Sequence, residues 1–397
     1  MAFAHRCLAF CFITLLGCGE NTPSITEGLP LDAASTDERS QPGTDTETAT
    51  GQPTLTWISR FEMAPGTHRP EILTTKENDI VLVVVQPQTI DGLEVRHQAY
   101  RLSNGFDERI PSFPVTTEST TYGTPADHRA TLVGDQLFVV YQSLLLNETP
   151  PRGQPSEPYA AHQSLLLARF SVDDGTELAR ETLISQVTDR TTDNFPDHCI
   201  LWQEERLLVS SGAGSSLRIR EFDPFLPAPS NLLATHTIEN AYDSIGSVIG
   251  NALVNGPNDA LWMWGSRGPT DFDLTVSALQ DFVPGTPTIF HNEEREHTFP
   301  VGVLHHRGLF FVTYIGRDRN GPPGLLENPY SPRILVVNEQ LETQLDQAVS
   351  TQKGASHVHP TVAAIGDRVY VAWSHQYDEI KPQVVVDIFD LGFEEQP

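Results

Sequence analysis

The sequence predicts an all-β chain, a six-bladed β-propeller whose last blade is closed by an N-terminal strand. Three observations carry that prediction. Six short apolar runs begin at Ile80, Leu137, Leu207, Leu261, Leu309 and Val369, so their starts lie 57, 70, 54, 48 and 60 residues apart. Each run is rich in β-branched and aromatic residues and too short for a helix, and its near-continuous apolarity suits a strand buried on both faces. The last unit is one strand short, while a spare strand, Leu55-Thr56-Trp57-Ile58-Ser59-Arg60-Phe61, precedes the first unit and belongs to none. A period of roughly 50–60 residues built only from strands means radial or linear repetition, and four strands per unit around an axis is a propeller blade. A pair of β-sandwiches and a β-solenoid are the competing architectures.

Composition sets the outer bounds. The chain has 397 residues, 39% of them hydrophobic, enough for one large core or two ordinary ones. Its 28 Gly and 30 Pro are too few for a collagen-like or wholly disordered chain. The formal charge is −27, and lysine occurs only as Lys76, Lys353 and Lys381. So acidic a body repels phosphate backbones, which argues against nucleic acid as a partner. It has no electrostatic help in binding anionic lipid either. A monomer is expected.

The chain opens with His5 and Arg6 before an apolar run, Cys7 to Leu16, of ten residues. A membrane-spanning helix needs roughly 20, so the run reads as the core of a signal peptide over residues 1–17. It ends in Leu15-Leu16-Gly17-Cys18, which resembles the lipobox of bacterial lipoproteins. The resemblance implies cleavage before Cys18, a diacylglyceryl group on its sulfur and an acylated amine. Several acyl chains on one residue give stable membrane attachment, where one chain is only marginal. Gly19 in place of Asp implies, by the same resemblance, an envelope location at the outer membrane. Once Cys7 and Cys11 leave and Cys18 is lipidated, Cys199 alone remains, so no intrachain disulfide can form. Its apolar setting, His198-Cys199-Ile200-Leu201-Trp202, predicts a buried, inert thiol. Residues 18–53 read as a tether: positions 19–53 hold ten Ser/Thr, four Pro, four Gly and seven acids but no aromatic residue. Such a segment cannot bury enough surface to order itself, and its r.m.s. reach is roughly 30–35 Å.

From residue 54 the propeller begins. Every run follows a turn signal, such as Asn78-Asp79, Gly134-Asp135 or Gly366-Asp367. A little before most runs stands a proline or its equivalent: Pro70, Arg129, Pro196, Pro300 and Pro360. In the fourth unit this anchor is lost near Ile249. The last unit reads Thr361–Ile365, Val369–Ser374 and Gln383–Asp390, and the strand around Trp57 would supply its missing outer strand and remove an open edge. No stretch has the pattern of an amphipathic helix.

The final unit, His359-Pro360-Thr361-Val362-Ala363-Ala364-Ile365-Gly366-Asp367-Arg368-Val369-Tyr370-Val371-Ala372-Trp373-Ser374, resembles blades of sialidase-like propellers. The turn Ser171-Val172-Asp173-Asp174-Gly175-Thr176 is similar to the Asp box of that superfamily, although Leu178 stands where the family has an aromatic residue. That box lies far from the active site, so the turn bears on fold and not on activity.

In a propeller the start of each inner strand and the loop after the second strand share one face. The three residues before each anchor are Thr67-His68-Arg69, Ala126-Asp127-His128, Asp193-Asn194-Phe195, His297-Thr298-Phe299 and His357-Val358-His359. Five of these fifteen positions are His, against 14 His in 397 residues overall. They predict a polar mouth built from His68, Arg69, Asp127, His128, Asp197, His297, His357 and His359. Long segments over the same end add Arg317, Arg319 and Tyr330, and long loops on a rigid scaffold are where function concentrates. Three functions fit. The first is a binding module for a glycan or an envelope protein, with no cofactor. The second is a glycan hydrolase of sialidase or arabinanase type, which requires a placed carboxylate pair. By resemblance, a sialidase would further require an arginine triad and a tyrosine paired with a glutamate, and the sequence places no such Tyr–Glu pair. The third is a divalent metal held by His68, His128, His297, His357 and His359, since neutral imidazoles ligate zinc or copper well. No phosphate loop, dinucleotide fingerprint, HExxH or serine elbow is present.

Overall fold

A computed structural model describes residues 51–397 apart from 91–92, 118–123, 146–161, 188–192, 214–215, 239–248, 268–271, 322–329, 351–358, 376–380 and 395–397. The signal peptide, Cys18, the tether up to residue 50 and His357 lie outside the described residues. The first strand, β1, is Gln52–Glu62, so ordered pairing starts just inside the segment expected to be tether.

Six sheets follow. Blade one holds β2 (His68–Thr74), β3 (Ile80–Ile90), β4 (Leu93–Leu102) and β5 (Phe113–Thr117). Blade two holds β6 (Thr124–Val133), β7 (Gln136–Leu145), β8 (His162–Ser171) and β9 (Glu177–Val187). Blade three holds β10 (Asp193–Gln203), β11 (Arg206–Ala213), β12 (Ser216–Phe222) and β13 (Leu232–Ile238). Blade four has β14 (Ile249–Asn255), β15 (Ala260–Arg267) and β16 (Phe272–Gln280), and its outer edge is split between β17 (Val283–Pro284) and β18 (Thr288–Phe290). Blade five holds β19 (Arg295–His306), β20 (Leu309–Asp318), β21 (Ser331–Asn338) and β22 (Thr343–Ala348). Blade six is β23 (Thr361–Ile365), β24 (Arg368–His375) and β25 (Gln383–Glu394), with β1 as its outer strand. Among the described residues there is no helix.

The ring is visible in how the apolar residues divide. Six buried clusters each join two neighbouring blades: one with two, two with three, three with four, four with five, five with six and six with one. The runs supply both sides by strand alternation. In β20, Phe310, Val312 and Tyr314 face blade four, while Phe311 and Ile315 face blade six. This is why the runs read as continuously apolar: successive residues point to opposite faces, and both faces are covered.

Closure is by β1 on β25, antiparallel from Gln52↔Glu394 to Glu62↔Val385. Asp387, fully buried, binds the closure together. Its carboxylate accepts from Trp57 Nε1 at 2.9 Å, from Arg60 Nε and Nη2 at 2.9 Å each, and from Trp373 Nε1 at 2.8 Å. The Asp-box-like turn joins β8 to β9 at the end away from the inner-strand starts, where Gly175 takes φ +73° and donates to Ser171 at 3.0 Å. Cys199 is buried, as its surroundings predict.

Three of the anchors, Pro70, Pro196 and Pro300, fall within β-bulges, while Arg129 lies in the ladder just past one and Pro360 precedes β23. Register breaks fall between His68 and Glu71, Pro125 and His128, Asn194 and Cys199, Ile249 and Asn251, and Thr298 and Gly302. A bulge leaves a residue out of the ladder, which suits proline, because it has no N–H to contribute. In blade four Gly250, at φ +71°, occupies the bulge.

Candidate functional site

The antiparallel ladders bring the starts of β2, β6, β10, β14, β19 and β23 to one end of the propeller. The ends of β3, β7, β11, β15, β20 and β24 reach that same end. This is the mouth. The bulges sit there, and they decide which side chains face the channel and which turn into the seams between blades.

Arg69 is held at φ +49° in the first bulge. Its backbone N–H donates to Ser374 Oγ of blade six at 2.7 Å, and its guanidinium is ion-paired with Asp127 of blade two. Further in, Arg129 donates to Glu71 Oε1 at 2.6 Å and, through Nε, to the His198 carbonyl at 3.0 Å. Arg129 therefore ties together the inner strands of blades one, two and three. Burial pushes the Glu71 carboxyl up, and the adjacent Arg129 opposes that shift.

The structure corrects the placement of His128. Its side chain does not ring the mouth: it is 3% exposed and turned into the seam with blade one. There Nε2 lies 3.4 Å from the Val83 carbonyl and the ring meets His97 edge-on at 4.6 Å. Desolvation holds its pKa well below the usual histidine range, and the neighbouring His97 and Arg129 push the same way. His198 repeats the device one blade on, with Nε2 3.1 Å from the Val140 carbonyl. Both imidazoles are blade-to-blade struts. The bulge explains the error, because an extra residue reverses the facing of everything beyond it.

His68 and His359 are half-buried at the starts of blades one and six, and His359 takes φ +32°. His297 of β19 pairs with Gly316 of β20, and Asp197 sits in the third bulge. For these two the backbone position is described and the side chain is not. Among the described residues, no three His, Cys, Asp or Glu groups converge as ligands for a metal.

Arg317 is not in a loop as expected, but near the end of β20, opposite Glu296 of β19. The pair is bidentate, Nε to Oε2 at 2.8 Å and Nη2 to Oε1 at 3.0 Å. Tyr330 completes the group. Its ring lies 4.9 Å beneath the Arg317 guanidinium, and its hydroxyl donates to Glu296 Oε2 at 3.2 Å. Glu296, 2% exposed, was not singled out in the sequence, which paired no tyrosine with a glutamate. Beside it Asp273 accepts from Arg319 Nη2 at 2.7 Å and lies 3.1 Å from His291 Nδ1. The only signal for Glu296 was its position next to His297, just before Pro300, the anchor of the fifth blade.

No family model matches the sequence, and no curated protein matches it. Solved structures do. A protein of unknown function from Dyadobacter fermentans is 10% identical, with a TM-score of 0.59 over 86% of this chain and 98% of that one. The sialidase of Trypanosoma rangeli is 10% identical, at a TM-score of 0.48 over 82% of this chain and 55% of that one. An α-L-arabinofuranosidase from Lactobacillus brevis is 12% identical, at 0.45 over 69% and 94%. At such identities the likeness bears on fold alone.

Proposed function

We propose that the chain is a binding module whose channel mouth recognises a polyhydroxylated ligand, a glycan, and that it is held in a bacterial envelope by lipid on Cys18. The observation that carries the binding reading is the Arg317–Glu296–Tyr330 group. The buried Glu296 carboxylate, on the paired strand, holds the Arg317 guanidinium in a fixed orientation at the mouth, so a ligand acceptor meets it without reorganisation. The Tyr330 ring adds a flat apolar surface of the kind that accepts the C–H face of a sugar. Arg69 and Asp127 offer a second such pair across the mouth. The run ending Leu15-Leu16-Gly17-Cys18 supports the anchor and the envelope location.

The test is a glycan array probed with the detergent-solubilised full chain beside Arg317→Ala and Tyr330→Phe variants. Binding that falls at least about tenfold in Arg317→Ala is expected; equal binding by wild type and variant would place the function elsewhere. Mass spectrometry of the mature N-terminus checks the anchor, and fatty-acid labelling that survives Cys18→Ser would exclude it.

A hydrolase is the second reading, and the Tyr330–Glu296 hydrogen bond favours it, since a tyrosine activated by a glutamate is what the sialidase resemblance requires. Against it, both Glu296 oxygens already accept from Arg317, so the carboxylate must give up a charge-assisted bond to act as a base. Asp127, Glu71, Asp273 and Asp318 at the same end are likewise bound to arginines. Turnover of sialyl or arabinofuranosyl chromogenic substrates, lost in Tyr330→Phe, would replace the binding reading with this one.

A further inference from the structure

Eight large hydrophobic residues are exposed among the described residues, and four of them fall within one short stretch of blade three. Phe225 is 56% exposed, Leu226 40%, Leu232 44% and Leu233 41%. They lie on and beside the connection between β12 and β13, at the end of the propeller opposite the mouth. β13 abuts β17 of blade four, where Val283 is 50% exposed and extends the apolar surface. Scattered exposed hydrophobics need no explanation, but a contiguous group does.

The connection is built to hold these side chains out. Asp223 N donates to the Asn231 carbonyl at 2.8 Å and closes the loop at its base. Asp223 Oδ1 accepts from Phe225 N at 2.9 Å, and its carbonyl accepts from Leu226 N at 3.2 Å. Pro224, Pro227 and Pro229 fix three further φ angles. Underneath, the Phe225 ring meets Trp202 and Phe138 edge-on at 6.2 and 6.3 Å, and the Arg169 guanidinium lies 5.0 Å from its centroid. One side of Phe225 is thus buttressed and the other offered to solvent, which is the form of a pre-ordered interface anchor.

The surrounding charge selects the occupant. Glu204 and Glu205 form the turn beside Trp202 at the same end, Asp223 stands at the loop base, and Glu181 interacts with both Arg169 and Asp223. Arg206, in the strand after that turn, and Arg169, covered by Phe225, lie at the same end. A second copy of this chain carries the same overall net charge of −27 and is repelled, and an anionic bilayer meets the same repulsion.

From this we infer that the β12–β13 knob docks a protein segment that alternates aliphatic anchors with lysine or arginine. The probe is a fluorescent peptide alternating lysine with leucine, titrated into the full chain beside two controls, one with glutamate for lysine and one with serine for leucine. The lysine–leucine peptide should bind at least tenfold more tightly than either control. A Phe225→Ser, Leu226→Ser double variant should lose that preference while its Tm stays near wild type. Should the double variant fail to fold, Leu226→Arg at an exposed position serves instead, since it removes an anchor and adds like charge. Equal binding of the lysine–leucine and lysine–serine peptides would overturn the inference, as would binding unchanged in the variants. Dimerisation in sedimentation that vanishes in the double variant would assign the knob to a second copy instead. Pelleting with phosphatidylglycerol vesicles that vanishes in the same variant would assign it to a membrane. Neither result touches the glycan reading, which rests on the opposite end.

Discussion

Replacing Asp387 with asparagine should open the propeller at its closure. The side chain is isosteric, so packing is preserved and only hydrogen bonding and charge change. Four donors converge on the carboxylate: Trp57 Nε1 and Arg60 Nε on Oδ1, Arg60 Nη2 and Trp373 Nε1 on Oδ2. An amide supplies one acceptor and one donor group, so either of its orientations sets N–H groups against two N–H groups. The Arg60 guanidinium, 19% exposed, is left without its counter-charge. Breaking a buried ion pair from one side costs about 3–5 kcal/mol. For a domain of this size that lowers Tm by roughly 4–7 °C. Calorimetry and urea titration followed by tryptophan fluorescence measure it, with Trp57 and Trp373 as reporters on either side of the carboxylate. A double variant Arg60→Met, Asp387→Asn removes the orphaned cation and should cost less than the sum of the singles by at least about 1 kcal/mol. An Asp387→Asn variant within about 1 kcal/mol of wild type would refute the view that this carboxylate secures the seam.

Further outcomes follow from individual contacts. His128 is kept neutral in the folded chain while the unfolded chain protonates it near pH 6.5, so stability is full above that pH and falls as pH drops below it. The slope from this group is at most about 1.4 kcal/mol per pH unit, and His128→Gln should flatten it in urea midpoints taken from pH 8 to 5. The groups facing His128 in the fold are His97, Arg129 and His198. At Gly302 an added Cβ would lie 2.6 Å from Thr313 Oγ1 and from Thr361 Cα, at the seam between blades five and six. Gly302→Ala should therefore destabilise by about 1–3 kcal/mol, read as a lower urea midpoint. Burial pushes the Cys199 thiol up to about 12. A thiol reagent at neutral pH should leave it unmodified until the chain is denatured.

The blade count and the closing strand could be read from the sequence because they depend on strongly apolar runs and on one strand left over. Val369 to Trp373 or Leu309 to Tyr314 cannot be anything but strands buried on both faces. Side-chain facing at the mouth could not be read in the same way. Alternation predicts facing only in an unbroken ladder, and His128 and His198 lie at or within register breaks. Arg317 read as loop because Gly316, Arg317 and Asp318 continue β20 without an apolar pattern. Its pairing with Glu296 and Tyr330 joins residues 21 and 13 positions away, one on β19 and one just before β21. The split outer edge of blade four left no trace, since β17 and β18 are too short to form a pattern.

The closure of blade six has a mechanical side. β1 lies along β25 from Gln52↔Glu394 to Glu62↔Val385, and the chain enters it from the Gln52 end. Tension applied upstream in the direction of the strand would pull β1 along its own axis. All rungs of the ladder then bear the load at once in shear, with the Arg60 and Trp57 grips on Asp387 behind them. Were the strand paired so that force lifted it from one end, the rungs would fail singly. For tension in that direction the seam that completes the ring is loaded along its ladder, where its hydrogen bonds act together.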